Sequence, residues 1–239
     1  MTQNTNTLLS WMAAPNPGDI LRNHRANGWL KEHLPEVDAL YGIPQSAMWH
    51  PEVDTGHHIE LCMDRVAELT TDLDIRFSVL VHDLGKGITP VEILPKHHGH
   101  EKAGLPLVEA VCARFEVPFQ WRELALINCE HHINIHRIVD LRPGTLVSML
   151  ADTGIGDSLR LADSLGIACQ ADKQGRLGLE HQPYPQRELL ISVAKAYKQG
   201  VLKGQSHQEL CGTVSEVMKA HAYHVEIQDT SQFMHRASA

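Results

Sequence analysis

Apolar side chains recur at helical spacing over most of this chain and nowhere alternate with polar ones over the length of a strand, so the pattern predicts helices throughout. Pro17-Gly18-Asp19 reads as a turn with an N-cap before Ile20-Leu21 through Trp29-Leu30, and Leu34-Pro35 closes that helix. The glycine and prolines between Tyr41 and Pro51 mark a loop. Ile59, Cys62, Val66 and Leu69 form the apolar stripe of the next helix, opened by His58. Asp74 is placed to cap a very apolar helix from Ile75 to Leu84, stopped by Gly85 and Gly87. A Pro-, Gly- and His-rich loop from Thr89 to Gly99 follows. Ala103, Leu107, Val108, Val111, Cys112 and Phe115 predict one helix and Trp121, Leu124, Ala125 and Ile127 another, with Pro118 between them. Pro143 suits the first turn of a helix through Leu146, Val147 and Leu150, and Asp157 can cap one bearing Leu161, Leu165, Ala168 and Asp172. After Arg187 to Tyr197, Ser206-His207-Gln208-Glu209 is a capping box for a final helix, and beyond about Asp229 the tail is polar and expected to fray. The fold class is all-α.

Composition narrows the setting. Of 239 residues, 43% are hydrophobic and 21% charged, enough for one globular core. The five cysteines are scattered without a C-x-x-C pair, which argues against a disulfide framework or zinc finger and for a reducing cytoplasm. No apolar run reaches membrane-spanning length and the start lacks a leader pattern, so no membrane association is expected. The formal charge of -8 disfavours extended nucleic-acid binding, although Lys86, Lys96 and Lys102 could form a local basic spot. No feature specifies an oligomeric state.

Chemistry enters with His82-Asp83, in Val79-Leu80-Val81-His82-Asp83-Leu84-Gly85-Lys86-Gly87. An imidazole and a carboxylate buried together are costly unless both are satisfied. A divalent ion does this while leaving positions open for water and substrate; a salt-bridged pair at a helix end is the plainer alternative. Seventeen histidines are present, many in clusters: His57-His58, His97-His98-Gly99-His100-Glu101, and Glu130-His131-His132 with His136, followed by Asp172. Residues at the ends of successive helices can converge in a bundle, and His58, Asp83 and Asp172 stand at such ends. Asp72-Leu73-Asp74 reads as helix capping and a charged turn.

A histidine, then His-Asp, then a distant aspartate is similar to the pattern of the HD metal-dependent phosphohydrolase superfamily. Trp49-His50-Pro51-Glu52-Val53-Asp54-Thr55-Gly56-His57-His58, His82-Asp83-Leu84-Gly85-Lys86-Gly87, His98-Gly99-His100-Glu101 and Ala171-Asp172-Lys173-Gln174-Gly175-Arg176 closely resemble the C-terminal HD domain of bacterial multifunctional CCA-adding enzymes, the tRNA nucleotidyltransferases. The resemblance covers roughly residues 10 to 200 and implies an HD-domain helical bundle; the chain is expected to divide into an N-terminal helical segment at 1-40, the phosphohydrolase domain at 41-200 and a C-terminal helix and tail at 201-239. It implies His58, His82, Asp83 and Asp172 as metal ligands, with His57 on another helix face. His100 and His132 match positions that reach a second ion. For His97, His98, His131 and His136, a polar loop or a satisfied hydrogen-bonding role is as good a reading as ligation.

Mixed imidazole and carboxylate ligands suit nickel, manganese, cobalt, iron or zinc, with magnesium less natural at the histidines. Asp83 is expected both to bind metal and to orient the attacking water. Lys86 and Arg176 are candidates for contacting substrate phosphate, Lys86 with a solvent-facing alternative and Arg176 by a bidentate contact. His100 is a further candidate for substrate binding, and Glu101 for a proton donor or a first-turn carboxylate complementing a helix dipole. The multifunctional enzymes carry a polymerase-like head with a Gly-Ser loop, whereas only a few tens of residues precede the HD part here. Hydrolysis without nucleotide addition is therefore expected: a stand-alone metal-dependent 2',3'-cyclic phosphodiesterase, 2'-nucleotidase or phosphatase on nucleotides or RNA ends. The alternatives are a nucleotidase or deoxynucleoside triphosphate hydrolase, and a non-catalytic partner module in tRNA processing.

Overall fold

The computed structural model describes the backbone of residues 3-236 and the side chains of Thr5 and residues 7-221. The described residues form α-helices joined by turns and short 3-10 segments, with a single isolated bridge between Pro44 and Asp54 in place of any strand. None of the described helices is long and apolar enough to cross a membrane. The chain separates into two compact units, Met1–Ile133 with Ile167–Pro183, and Asn134–Gly166 with Tyr184–Ala239.

In the first unit the helices are α1 (Gln3–Met12), α2 (Pro17–Ala26), α3 (Trp29–His33), α4 (Pro35–Asp38), α5 (Thr55–Leu69), α6 (Leu73–Val81) and α7 (His100–Arg114). Two longer helices, α8 (Phe119–His136) and α10 (Leu159–Gln174), give it Asn128, His132 and Asp172. At its centre lies α6, whose Ile75, Phe77, Val79, Leu80 and Val81 are all buried, so this helix is apolar all round rather than striped. Arg76 is buried too. Its guanidinium donates to the carbonyls of Met12, Ala14, Ala67 and Thr70, satisfying oxygens left over where α1 and α5 end.

Several boundaries differ from those predicted. The helix expected from Ile20 to Leu30 begins at Pro17, which occupies the first turn, and breaks at Gly28, whose φ of 83° is left-handed. The Asp74 side chain lies inside the first turn of α6, after Asp72 at the N-cap position. That helix ends at Val81, and Leu84–Ile88 forms a 3-10 turn instead of a continuation.

The second unit contains α9 (Pro143–Asp152), α11 (Pro185–Leu202) and α12 (His207–Arg236), together with parts of α8 and α10. Leu146, Val147 and Leu150 of α9, Leu189, Leu190 and Val193 of α11, and Leu210 and Val214 of α12 supply its buried apolar residues. Pro143 sits in the first turn of α9, as its sequence predicts. The amide of Leu161 is taken by Ser158 Oγ at 3.2 Å, so Ser158 rather than Asp157 caps α10. Ser206 and Glu209 form the predicted capping box, with the Ser206 amide donating to Glu209 Oε2 at 2.7 Å. The backbone of α12 continues past Asp229 to Arg236; residues 237-239 of the predicted polar tail lie outside the described residues.

Candidate metal centre

Asp54 fixes the start of α5 by accepting the His57 amide at 3.0 Å. This places His58 one position further on, fully buried, while the His57 side chain is 58% exposed. His82 follows the last residue of α6, and its Nδ1 lies 2.7 Å from the Val79 carbonyl oxygen. A carbonyl can only accept, so Nδ1 carries the proton and Nε2 presents its lone pair inward. Asp83 then turns the chain into the 84-88 segment, against which α7 packs.

That packing needs glycine. A Cβ on Gly85 would lie 2.0 Å from the His100 carbonyl oxygen, and one on Gly104 would lie 2.7 Å from Cys129 Sγ. The close approach brings His100 Nε2 to 3.2 Å from Asp83 Oδ1. From α8, His132 Nε2 reaches within 3.6 Å of the same oxygen and 3.3 Å of His100 Nε2. Asp172, on α10, has Oδ1 3.1 Å from His58 Nε2 and Oδ2 3.9 Å from His82 Nε2. Six side chains from five separate stretches of the chain thus converge, every one of them buried.

The ring nitrogens identify what this cluster demands. His100 Nδ1 is 2.7 Å from the His97 carbonyl, His132 Nδ1 3.0 Å from the Asn128 carbonyl, and His58 Nδ1 2.9 Å from Glu52 Oε1. His82, His100 and His132 therefore donate from Nδ1 to backbone carbonyls and turn Nε2 inward, an arrangement that orients histidines toward metals, and His58 likewise has Nδ1 beside an outer carboxylate and Nε2 facing Asp172. In the neutral rings each inward nitrogen is a lone pair facing a carboxylate or another lone pair. Only a proton or a cation between them makes such contacts favourable. His82 Nε2 and both Asp83 oxygens are buried with no hydrogen bond of acceptable geometry. His58, His82 and Asp83 offer donor atoms within 4.8 Å of one another, as do His82, His132 and Asp172, and Asp83, His100 and His132. These residues fit a divalent ion with nitrogen and oxygen ligands.

The electrostatics favour an ionised Asp83 and a neutral His132, while His82 is drawn toward protonation. Burial alone would raise the Asp83 pKa, but Lys86, His82 and His100 outweigh it and hold the carboxylate well below its usual range. Burial lowers the His132 pKa well below the ordinary imidazole value and keeps that ring neutral. At His82 burial opposes the charge, yet Asp83 and Asp172 raise the pKa on balance.

Lys86 is buried, not solvent-facing: its Nζ lies 2.6 Å from Asp83 Oδ2 and donates to Gln45 Oε1 at 2.7 Å. Arg176 Nη2 lies 3.2 Å from Asp172 Oδ1, and its Nε is buried without a hydrogen-bond acceptor. Glu101 is not brought into the cluster. Its carboxylate is 3.5 Å from the outer Nδ1 of His100, on the ring edge away from Asp83. His97 is held by Thr89 Oγ1 and the Pro44 carbonyl, and His136 by the Tyr184 hydroxyl, both in hydrogen-bonding roles. His98 is exposed, and His131 Nε2 stands 3.8 Å from Glu130.

Three residues at the cluster escaped the sequence reading. Glu52 and Gln45 come from the 41-54 loop, where no periodicity marks them. Cys62 had a signal, its place one helical turn after His58, and its sulfur lies 3.4 Å from His58 Nε2.

Comparison with known proteins shows the family. The HD-domain profile covers residues 55–197. The multifunctional CCA protein of Vibrio campbellii is 43% identical over 185 residues, 77% of this chain and 46% of that protein. Those of Vibrio parahaemolyticus and Teredinibacter turnerae are each 44% identical over 77% and 74% of this chain, or 46% and 43% of their own length. The chain thus spans somewhat less than half the length of these relatives. It belongs to the HD-domain family, whose members are in general metal-dependent hydrolases.

Proposed function

We propose that this chain is a cytoplasmic phosphohydrolase that opens 2',3'-cyclic phosphates or removes 2'-phosphates from nucleotides or RNA ends, with water as the nucleophile. The observation that carries the reading is the convergence of His58, His82, Asp83 and Asp172 beside two buried cations, Lys86 and Arg176. The first four would hold a divalent ion, with His100 and His132 available to a second. A bound ion supplies acidity to water and neutralises charge developing on phosphorus.

The chain's own groups do the rest. Asp83, ionised at neutral pH, accepts a hydrogen bond from the attacking water and orients it. Lys86, held between Asp83 and Gln45, places a fixed positive charge beside the carboxylate. Arg176 already spends one nitrogen on Asp172 and keeps Nε for a phosphate oxygen, a charge-assisted contact. The substrate class rests on the similarity to multifunctional CCA proteins together with the net charge of -8, which favours small phosphates over long RNA.

The purified protein should turn over 2',3'-cyclic AMP and 2'-AMP with nickel or manganese, and His82→Ala and Asp83→Ala should remove both activity and bound metal. Activity on dATP alone would replace this substrate class with triphosphate hydrolysis. Turnover of none of 2',3'-cyclic AMP, 2'-AMP, 5'-dAMP or dATP with any of nickel, manganese and magnesium would overturn the enzymatic reading.

A further inference from the structure

His58 differs from the other three inward-facing histidines in what holds it. His82, His100 and His132 donate to backbone carbonyls three or four residues earlier in the chain, whereas His58 Nδ1 faces a side chain from outside its helix, Glu52. The Glu52 side chain is 2% exposed, and a buried carboxylate needs several donors. Its Oε1 lies 2.9 Å from His58 Nδ1 and 3.0 Å from His50 Nδ1, and its Oε2 accepts the Leu177 amide at 3.4 Å. Leu177 directly follows Arg176, the partner of Asp172. One carboxylate thus joins the loop before α5, the first candidate ligand and the chain just beyond the last.

The backbone beside Glu52 is strained. Val53 has φ 60°, a left-handed conformation that a β-branched residue rarely adopts. It persists because Gln45 donates to the Val53 carbonyl at 2.6 Å and Val53 donates to the His50 carbonyl at 2.9 Å. Strain held in place by surrounding bonds points to a conformation kept for what it positions.

We infer that Glu52 is a positioning residue: it fixes His58 in the Nδ1-H tautomer and aims Nε2 at the metal. This rests on the metal-centre part of the proposed function and is independent of the substrate. A neutral amide in place of Glu52 could accept from Nδ1-H through its oxygen or donate through its nitrogen, so it would not enforce one tautomer. Removing the side chain would open His58 Nδ1 toward a surface cavity of about 230 Å³ that Glu52 helps to line with Arg22, His57, Glu60, Leu61 and Leu177. A small carboxylate has room to enter there.

The test uses the full chain stripped of metal and titrated with manganese. Glu52→Gln should weaken manganese binding about 10- to 100-fold, the range for loss of a partner behind a metal-ligating histidine. Glu52→Ala should weaken it further, with part of the loss recovered by added formate. Nitrogen NMR of the metal-free wild type should show His58 protonated at Nδ1 and not at Nε2, and Glu52→Gln should mix the tautomers. If His58→Ala weakens manganese binding but Glu52→Gln leaves both affinity and tautomer unchanged, the positioning role is wrong while the metal centre stands. If His58→Ala leaves binding unchanged, the metal-centre reading fails and this inference fails with it. Should Glu52→Gln not fold, the wild-type spectrum decides: an Nε2-H tautomer at His58 overturns the inference.

Discussion

At the scale of single residues, the molecule buries imidazoles such as His50 and His132, whose pKa burial lowers, and this ties its stability to pH. Burial pushes the His50 pKa down to about 4, only partly offset by its contact with Glu52. Between that value and about 6.5, the unfolded chain holds a proton that the folded ring refuses, so stability falls as pH drops through this window. Burial would raise the Glu52 pKa, but His50 and His58 hold it below the usual carboxylate range. Its contribution is therefore present above the unfolded carboxylate pKa and is lost on further acidification, the same direction as His50. His82 acts oppositely: its raised pKa gives stability below about 6.5 that is lost as pH rises through the folded value. Urea unfolding of the metal-free protein should show stability declining from pH 6.5 to 4.5, and His50→Gln should flatten that decline by about 1–3 kcal/mol. An unchanged slope in His50→Gln would show that the ring is not held neutral by burial.

At the scale of elements, the site is assembled by how closely helices approach. A Cβ at Gly85 would sit 2.0 Å from the His100 carbonyl, and that atom is backbone, so it cannot swing aside. Gly85→Ala should push the start of α7 away from the 84-88 turn, destabilise the fold by about 1–3 kcal/mol and draw His100 off Asp83. Thermal unfolding and manganese stoichiometry measure both effects, and an alanine variant with wild-type values for each would show that α7 yields without cost. The helices themselves are legible because their apolar residues follow helical spacing, and Ser206-Glu209 is legible because both halves of the box lie within one turn. The ends of α6 and α10 are not legible. His82 spends its Nδ1 on the Val79 carbonyl as α6 gives way to a 3-10 turn, and Ser158 takes the amide for which Asp157 is equally placed in sequence. In the site, His58, His82, Asp83 and Asp172 can be read from motif strings, but their convergence needs the tertiary packing. Glu52 and Gln45 answer to partners several residues to many tens of residues away with no repeating pattern, so sequence periodicity carries no trace of them.

At the scale of the whole molecule, all six candidate ligands lie in the unit formed by Met1–Ile133 and Ile167–Pro183. A metal that binds only the folded form stabilises that form by mass action, by about 2.7 kcal/mol when free metal is a hundredfold above Kd. The benefit falls on the unit that owns the ligands. Burying His82 Nε2 without a hydrogen bond costs stability that a bound cation restores, so the metal-free protein should be the weaker form. Adding manganese to chelator-stripped protein should raise the unfolding midpoint by roughly 5–10 °C. If calorimetry resolves two transitions, only one should move, because none of the six side chains belongs to the Asn134–Gly166 and Tyr184–Ala239 unit. Acidification should shrink the shift, since protons compete with metal for the inward Nε2 atoms, most strongly at His82 with its raised pKa. His82→Ala should abolish the shift while leaving a cooperative transition. A manganese-induced rise that survives both His82→Ala and Asp83→Ala would place the stabilising ion elsewhere in the molecule.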